Sequence, residues 1–268
     1  DGDFIYLQTI GVNNPTGAQV LDGTINLTVP SYGPPGWGYR QIAVNRGLSR
    51  ENTDGADLRI TSAIADGSSI WQAPLRKYGY GTLELGGTAP NTFSGQYYNW
   101  QGTTLLNKGT GTGGVNAVGG GLRAGDGAWN DGVFNSDVVR WLQPNQLPDN
   151  NALVYGDVTG WLDLNGNDET LGVANFQYGL QIESGTQVTT GAGTLTLNGN
   201  LQVTGDMWAK PSVISGHLNF GSGAGSATST IDVADAGHLP YELLLQADLT
   251  GGANVGLIKS GGGAPLLS

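Results

Sequence analysis

The chain has no cysteine, a single methionine and few charged side chains, with Asp, Glu, Lys and Arg making up 12% of its 268 residues. Without cysteine, disulfide staples, thiol nucleophiles and thiolate metal sites are excluded, and the absence fits either redox compartment. No run of about 18 apolar residues occurs, so no helical membrane span is expected. Eleven Lys and Arg, well scattered, face 22 acids. The resulting net charge of -11 argues against a nucleic-acid partner, whose phosphates require clustered cations. The acidity serves solubility instead. The start, Asp1-Gly2-Asp3, carries neither Met nor an apolar leader, and the expectation is a processed chain or a piece of a longer one.

What the chain has in excess is glycine, 47 residues, with Asn, Thr and Leu recurring throughout. Such a composition describes short strands, many turns and little helix. It is also repetitive. Gly23-Thr24-Ile25-Asn26-Leu27 matches Gly216-His217-Leu218-Asn219-Phe220, and Ile42-Ala43-Val44 matches Ile231-Asp232-Val233. Leu58, Ile60, Ile64 and Gly67 match Leu243, Leu245, Leu249 and Gly252. Residues 75–85, LRKYGYGTLEL, return in damaged form at 257–267, LIKSGGGAPLL. The offset shrinks from 193 to 182 between matched segments and is constant within each. Length changes therefore fall in turns, while strands keep their alternation, because a one-residue slip would turn every core side chain outward.

A finer period lies inside this unit. Short alternating runs start near Leu162, Leu171, Leu180, Val188, Leu195 and Leu201, each closed by Gly, Asn or Asp. Three such strands make a coil of about 20 to 30 residues, the range of solenoids. The expectation is an all-β, right-handed parallel β-helix (β-solenoid) of about 10–12 coils, forming one continuous domain over 1–268 and a rod of roughly 50 to 60 Å. A sandwich or closed barrel is the competing architecture. Two excursions, near 28–55 and 88–100, and an irregular or partly helical coil near 126–150 interrupt the regularity.

Gly81-Thr82-Leu83-Glu84-Leu85, then Asn91-Thr92-Phe93-Ser94-Gly95, then Gly102-Thr103-Thr104-Leu105-Leu106 follow one another in a telling order. Ser136-Asp137-Val138-Val139-Arg140, Asn145-Gln146-Leu147-Pro148-Asp149, Leu162-Asp163-Leu164-Asn165-Gly166, Glu169-Thr170 and Gly172 continue it. This series resembles the autotransporter-associated β-strand repeat proteins, large bacterial surface and secreted proteins with glycine-rich passenger regions. The resemblance implies a right-handed parallel β-helix, an extracellular or cell-surface location and a structural or adhesive role, with no active site to carry over. Two features depart from it: Pro265 stands where the first copy has Leu83, and Tyr97, Tyr98 and Trp100 widen the gap before Gly102.

Chemistry is sparse. Glycoside hydrolysis requires two carboxyls across the scissile bond, and the nearest sequence cluster, Asp163, Asp168 and Glu169, reads as turn chemistry. Asp163, Asn165 and Asn167 alternate as in a calcium loop, but Gly166 falls fourth instead of sixth and Ala174 stands where the twelfth-position Glu belongs. His217 and His238 lack a third ligand or a nucleophile, and the glycine runs at 109–114 and 119–121 lack the Lys-Ser/Thr of a phosphate loop. No metal and no cofactor are expected. The aromatic residues Trp37, Tyr39, Tyr97, Tyr98 and Trp100 are the candidates for binding a saccharide or partner, the bland alternative being that they cover the apolar flank.

A solenoid's ends are open rows of backbone donors and acceptors. Phe4, Ile5 and Tyr6 at one end, and Leu266 and Leu267 at the other, are the expected assembly residues. They would pair with copies of the chain, end to end, or with the rest of a longer repeat chain. The main expectation is thus a non-catalytic structural or adhesive rod or filament subunit. The alternative is a β-helix that binds or degrades polysaccharide.

Overall fold

A computed structural model describes residues 19–22, 24–27, 40–46, 55–67, 74–110, 113–127, 132–149, 153–172, 178–205, 210–221, 228–252 and 256–268. Every helix or strand among them is a strand. The first eight are β1 Gln19–Leu21, β2 Thr24–Leu27, β3 Arg40–Ala43, β4 Leu58–Ile60, β5 Ala63–Asp66, β6 Leu75–Tyr78, β7 Thr82–Gly87 and β8 Tyr97–Asn99. Then come β9 Thr103–Thr110, β10 Gly113–Gly114, β11 Leu122–Ala124, β12 Asp137–Trp141, β13 Val154–Gly156, β14 Gly160–Asp163, β15 Glu169–Leu171 and β16 Tyr178–Glu183. The last seven are β17 Gln187–Leu197, β18 Asn200–Thr204, β19 Ser212–Phe220, β20 Thr228–Val233, β21 Leu243–Gly251, β22 Gly256–Ser260 and β23 Pro265–Leu267.

Two large parallel sheets hold nearly all of them. The twelve-stranded sheet runs β1-β4-β7-β9-β12-β14-β17-β19-β21-β23, and the nine-stranded sheet runs β3-β6-β8-β11-β13-β16-β18-β20-β22. Neither closes into a barrel. The chain passes back and forth between the sheets and lays each strand beside the one it made 21 to 39 residues earlier, as at Leu83 beside Thr104 and Leu21 beside Ile60. β10 alone is antiparallel, folded back on β9.

Alternation decides which side chains meet. On the twelve-stranded sheet Leu58, Leu83, Thr104, Val139, Leu162, Val188, Ile214 and Leu245 stack rung on rung. On the other sheet Leu75, Tyr97, Leu122, Val154, Leu180, Leu201 and Ile231 do the same. All are buried. A fully buried Leu or Ile contributes about 1.5–3 kcal/mol, so the row of like side chains is the main stabilising device.

Among the described residues the anticipated third strand of each turn exists separately only as β2, β5 and β15. In β17, β19 and β21 it is fused to the strand before it. Gly191 (φ 64°) and Gly216 (φ 101°) supply the left-handed backbone of that bend, and the register between β17 and β19 shifts between Thr189 and Thr194.

The long repeat is reproduced rung by rung. Ile25 pairs with Ile64, as Leu218 does with Leu249; Ile42 pairs with Lys77, as Ile231 does with Lys259. Leu58 and Ile60 pair with Leu83 and Leu85, as Leu243 and Leu245 do with Pro265 and Leu267. Contacts the sequence did not show repeat as well. Gly81 N–H donates to Val44 O and Gly263 N–H to Val233 O, both at 2.9 Å. Thr82 N–H donates to Asp57 Oδ2 at 2.7 Å and Ala264 N–H to Glu242 Oε2 at 2.6 Å.

Three boundaries change. Within 28–55, residues 40–46 belong to the sheet through β3, while Trp37, Tyr39, 28–39 and 47–54 lie outside the described residues. Within 88–100, residues 97–99 are β8, and even the connection before it turns Asn91 and Phe93 inward. Within 126–150, β12 crosses the twelve-stranded sheet, and the described residues contain no helical turn. In each case a polar or aromatic residue that reads as loop finds a rung below it to pair with.

Candidate functional site

The outward side of the nine-stranded sheet carries the densest chemistry. One column of register partners there reads Gln41, Arg76, Tyr98, Arg123, Tyr155, Gln181, Gln202, Asp232 and Ser260. Arginine and tyrosine alternate over four rungs. The Arg76 guanidinium lies 3.7 Å from the Trp100 ring centre and 5.5 and 5.7 Å from those of Tyr98 and Tyr78. Its Nη1 donates to Tyr78 Oη at 2.8 Å, and the Tyr78 and Trp100 rings meet edge to face at 5.2 Å. Arg76 is itself buried by these rings. The aromatic candidates therefore separate. Tyr98 and Trp100 are half-buried and engaged with Arg76, while Tyr97 is a core residue whose hydroxyl meets Thr104 Oγ1 at 2.7 Å. Tyr97 cannot stack on a ligand, because its strand phase points it inward and burial pushes its phenol pKa up.

Further along, Arg123 covers the Tyr155 ring at 4.7 Å and donates through Nε to Asp157 Oδ2 at 2.8 Å. Tyr155 donates to Glu183 Oε1, and the Glu183 and Asp157 carboxyls hydrogen-bond to each other. Burial, followed by that contact with Asp157, raises the Glu183 pKa to about 8. The sequence hid this pair, because its members stand 26 residues apart and meet only through the register of β13 on β16. Carboxyls in direct contact are too close to flank a glycosidic bond, which requires roughly 5 to 9.5 Å between them.

The cluster legible in the sequence disperses. Asp163 pairs with Arg140 Nε at 2.7 Å and accepts Asn165 N–H at 2.9 Å. Asp168 accepts Thr194 N–H at 2.8 Å. Glu169 turns into the core, where Trp141 Nε1 and Gln146 N–H both donate to Oε2 at 2.7 Å. Burial outweighs those donors and raises its pKa to about 7. Asn165 and Asn167 both donate to Trp141 O, so the supposed calcium loop is a turn tied to the rung below. His217 faces Asp248 at 3.3 Å, and His238 is exposed between β20 and β21. The glycines at 109 and 113–114 form the β9–β10 fold-back, and a Cβ on Gly119 or Gly120 would run into the carbonyl oxygen of Phe93 or Gly95.

The corner between the two sheets holds a buried charge. Lys77 is buried, and its ammonium donates to Gly79 O at 2.7 Å, to Gly81 O at 2.6 Å and to Gln101 O of the next rung. Burial lowers its pKa to about 7. Its repeat equivalent, Lys259, reaches Gly261 O but is exposed on the last rung. Around it Leu257, Ile258, Leu266 and Leu267 expose 46%, 52%, 36% and 61% of their surface. Leu266 and Leu267 thus lie on the free edge strand β23, and Phe4, Ile5 and Tyr6 fall outside the described residues.

No family model matches the chain, and neither the curated proteins nor the solved structures contain a match to it.

Proposed function

We propose that the chain is a right-handed parallel β-helix working as a non-catalytic structural and adhesive rod at a bacterial cell surface or beyond it. It extends end to end through copies of itself or through further repeat sequence. One observation carries the reading: the repeat recurs down to individual rung pairs and amide bonds, so the molecule is built by adding equivalent rungs. That construction produces length. Ten strands along the main path, at about 4.8 Å per spacing, give a rod of about 45 Å.

The outward chemistry supports the same reading. Arg76 is spent on Trp100, Arg123 on Asp157, Arg59 on Glu84 at 2.8 Å and Arg140 on Asp163. A polysaccharide-binding or polysaccharide-degrading role finds less, since the Asp157–Glu183 pair is closed on itself. Electron microscopy of the purified protein, with saccharide cleavage and binding assayed in parallel, tests the proposal. Rods of uniform width without cleavage are expected, whereas compact particles that depolymerise a polysaccharide would sink it.

A further inference from the structure

We propose that Glu169 is a proton-operated latch between two rungs: with a proton on its carboxyl the connection that follows β12 is held closed against β15, and without one that connection opens to water more often. The proposal goes beyond the rod reading and stands without it, because it concerns the grip between two turns of a single chain.

The placement of Glu169 comes first. It opens β15, and its strand phase sends the side chain into the core, where it is 1% exposed. Its Oε2 accepts Trp141 Nε1–H and Gln146 N–H at 2.7 Å each and Leu147 N–H at 3.3 Å, all from the preceding rung, while Oε1 accepts Thr170 N–H at 3.0 Å. One carboxyl therefore holds both the end of β12 and the connection after it. Gln146 passes the hold on, its side chain accepting Lys108 N–H and donating to Lys108 O, both at 2.8 Å. A similar clasp lies nearer the start of the chain, where Asn91 accepts Ile64 N–H at 2.8 Å and donates to Ala117 O at 2.7 Å. Asn91 and Gln146 cannot titrate, and Glu169 can.

Burial gives the direction. The carboxyl borders a cavity of about 10 Å³, the space of about one water molecule, whose other walls, among them Leu162, Leu180 and Leu195, are apolar. Such surroundings penalise the charged form, and water that enters on opening relieves it. Loss of the proton thus favours opening. The groups that could oppose this from the elements packed around Glu169 are engaged elsewhere. Arg140 of β12 pairs with Asp163 of β14, and Asp137 of β12 accepts Gly102 N–H. Tyr155 of β13 donates to Glu183 of β16, and Tyr178 of β16 donates to Asp232. Asp168 accepts Thr194 N–H, Lys108 donates to Ser62 O, and Asp149 is exposed. Burial accordingly outweighs the four donors and raises the Glu169 pKa from 4.5 to about 7. With 4.5 in the open state and about 7 in the closed one, opening should become on the order of 70-fold more frequent between pH 5 and pH 8.

Hydrogen exchange of the full chain, followed by NMR and corrected for the intrinsic pH dependence of exchange, tests the latch. Protection of the Gln146 and Leu147 amides and of the Trp141 indole N–H should fall by that factor between pH 5 and pH 8. The carboxyl carbon resonance of Glu169 should titrate over the same range. The Ile64 amide, bound by Asn91, should show no such step. Glu169→Gln keeps an oxygen acceptor but cannot titrate, so protection at Gln146 and Leu147 should be equal at the two pH values in that variant. If Glu169→Gln does not fold, the comparison of Leu147 with Ile64 in the wild type still decides. Flat protection at Gln146 and Leu147 in the wild type, an equal fall at Ile64, or the same fall in Glu169→Gln would overturn the proposal.

Discussion

Residues 75–85 and 257–267 follow the same course, a strand of the nine-stranded sheet, a glycine corner and a strand of the twelve-stranded sheet, yet they live in different surroundings. Key contacts that look back to the preceding rung are alike: an isoleucine partner for the lysine, the same amide to a valine carbonyl, and a carboxylate, Asp57 or Glu242, on the amide that opens the second strand. Everything that looks forward differs. Leu83 and Leu85 are fully buried under β9, whereas Pro265 is half-buried and Leu267 exposed; Lys77 is caged and Lys259 is not. A rung is thus specified by its predecessor and stabilised by its successor.

The sharpest way to break the comparison is at the lysines. Lys77→Ala leaves a cavity and strips three carbonyls, two of them buried, of their shared donor, and should cost about 4 kcal/mol. Lys259→Ala, at an exposed position, should stay within about 0.5 kcal/mol. Urea unfolding of both variants measures the difference, and equal losses would show that the following rung contributes nothing to the cage.

Proton linkage sharpens the same contrast. Burial depresses the folded-state pKa of Lys77 from 10.5 to about 7. Relative to the unfolded chain, burial penalises the ammonium, so stability is greatest above pH 10.5, falls as pH drops towards 7 and levels off below that. The loss over that window is on the order of 5 kcal/mol. Unfolding free energies between pH 7 and 10 should slope upward for the wild type and lose that component in Lys77→Met, while Lys259→Met keeps it. Glu169, raised to about 7, acts in the opposite sense, its contribution being full below pH 4.5 and lost as pH rises through 7. The variants should therefore be compared above about pH 9, past the titration of Glu169 and of Glu183, the latter raised to about 8.

Much of this frame was legible in the sequence, and the reason is physical. A strand of period two betrays its buried face, and a repeat whose offset changes only at turns keeps its register, so the segments matched in sequence stand at equivalent places, Ile25 on Ile64 and Leu218 on Leu249. Serial motifs also landed together: Leu83, Thr104, Val139 and Leu162 stand in one column. Contacts between rungs at unequal spacing were not legible. Asp157 meets Glu183, Arg76 meets Trp100 and Asp57 meets Thr82 only after the turns have been counted out, and turn lengths follow no pattern of hydrophobicity. Tyr97 misled for a related reason. Beside Tyr98 and Trp100 it reads as part of an aromatic insertion, but strand phase sends it to the core, where Thr104 and Asn99 satisfy its neighbourhood.

The smallest predicted effect tests the half of the comparison that should not differ. Gly79 (φ 80°) and Gly261 (φ 79°) turn the corner in the left-handed region, and a Cβ on either would run into a carbonyl oxygen of the preceding rung, Val44 O or Val233 O. Backbone strain of this kind costs about 1–3 kcal/mol. Because both copies have that preceding rung, Gly79→Ala and Gly261→Ala should each lose about 2 kcal/mol, in contrast to the unequal lysines. Thermal melts of the two variants decide it. If Gly261→Ala proved harmless while Gly79→Ala did not, the last corner would be free to move away from Val233. Templating by the preceding rung would then require the following rung as well, so the two directions of the stack would not be separable.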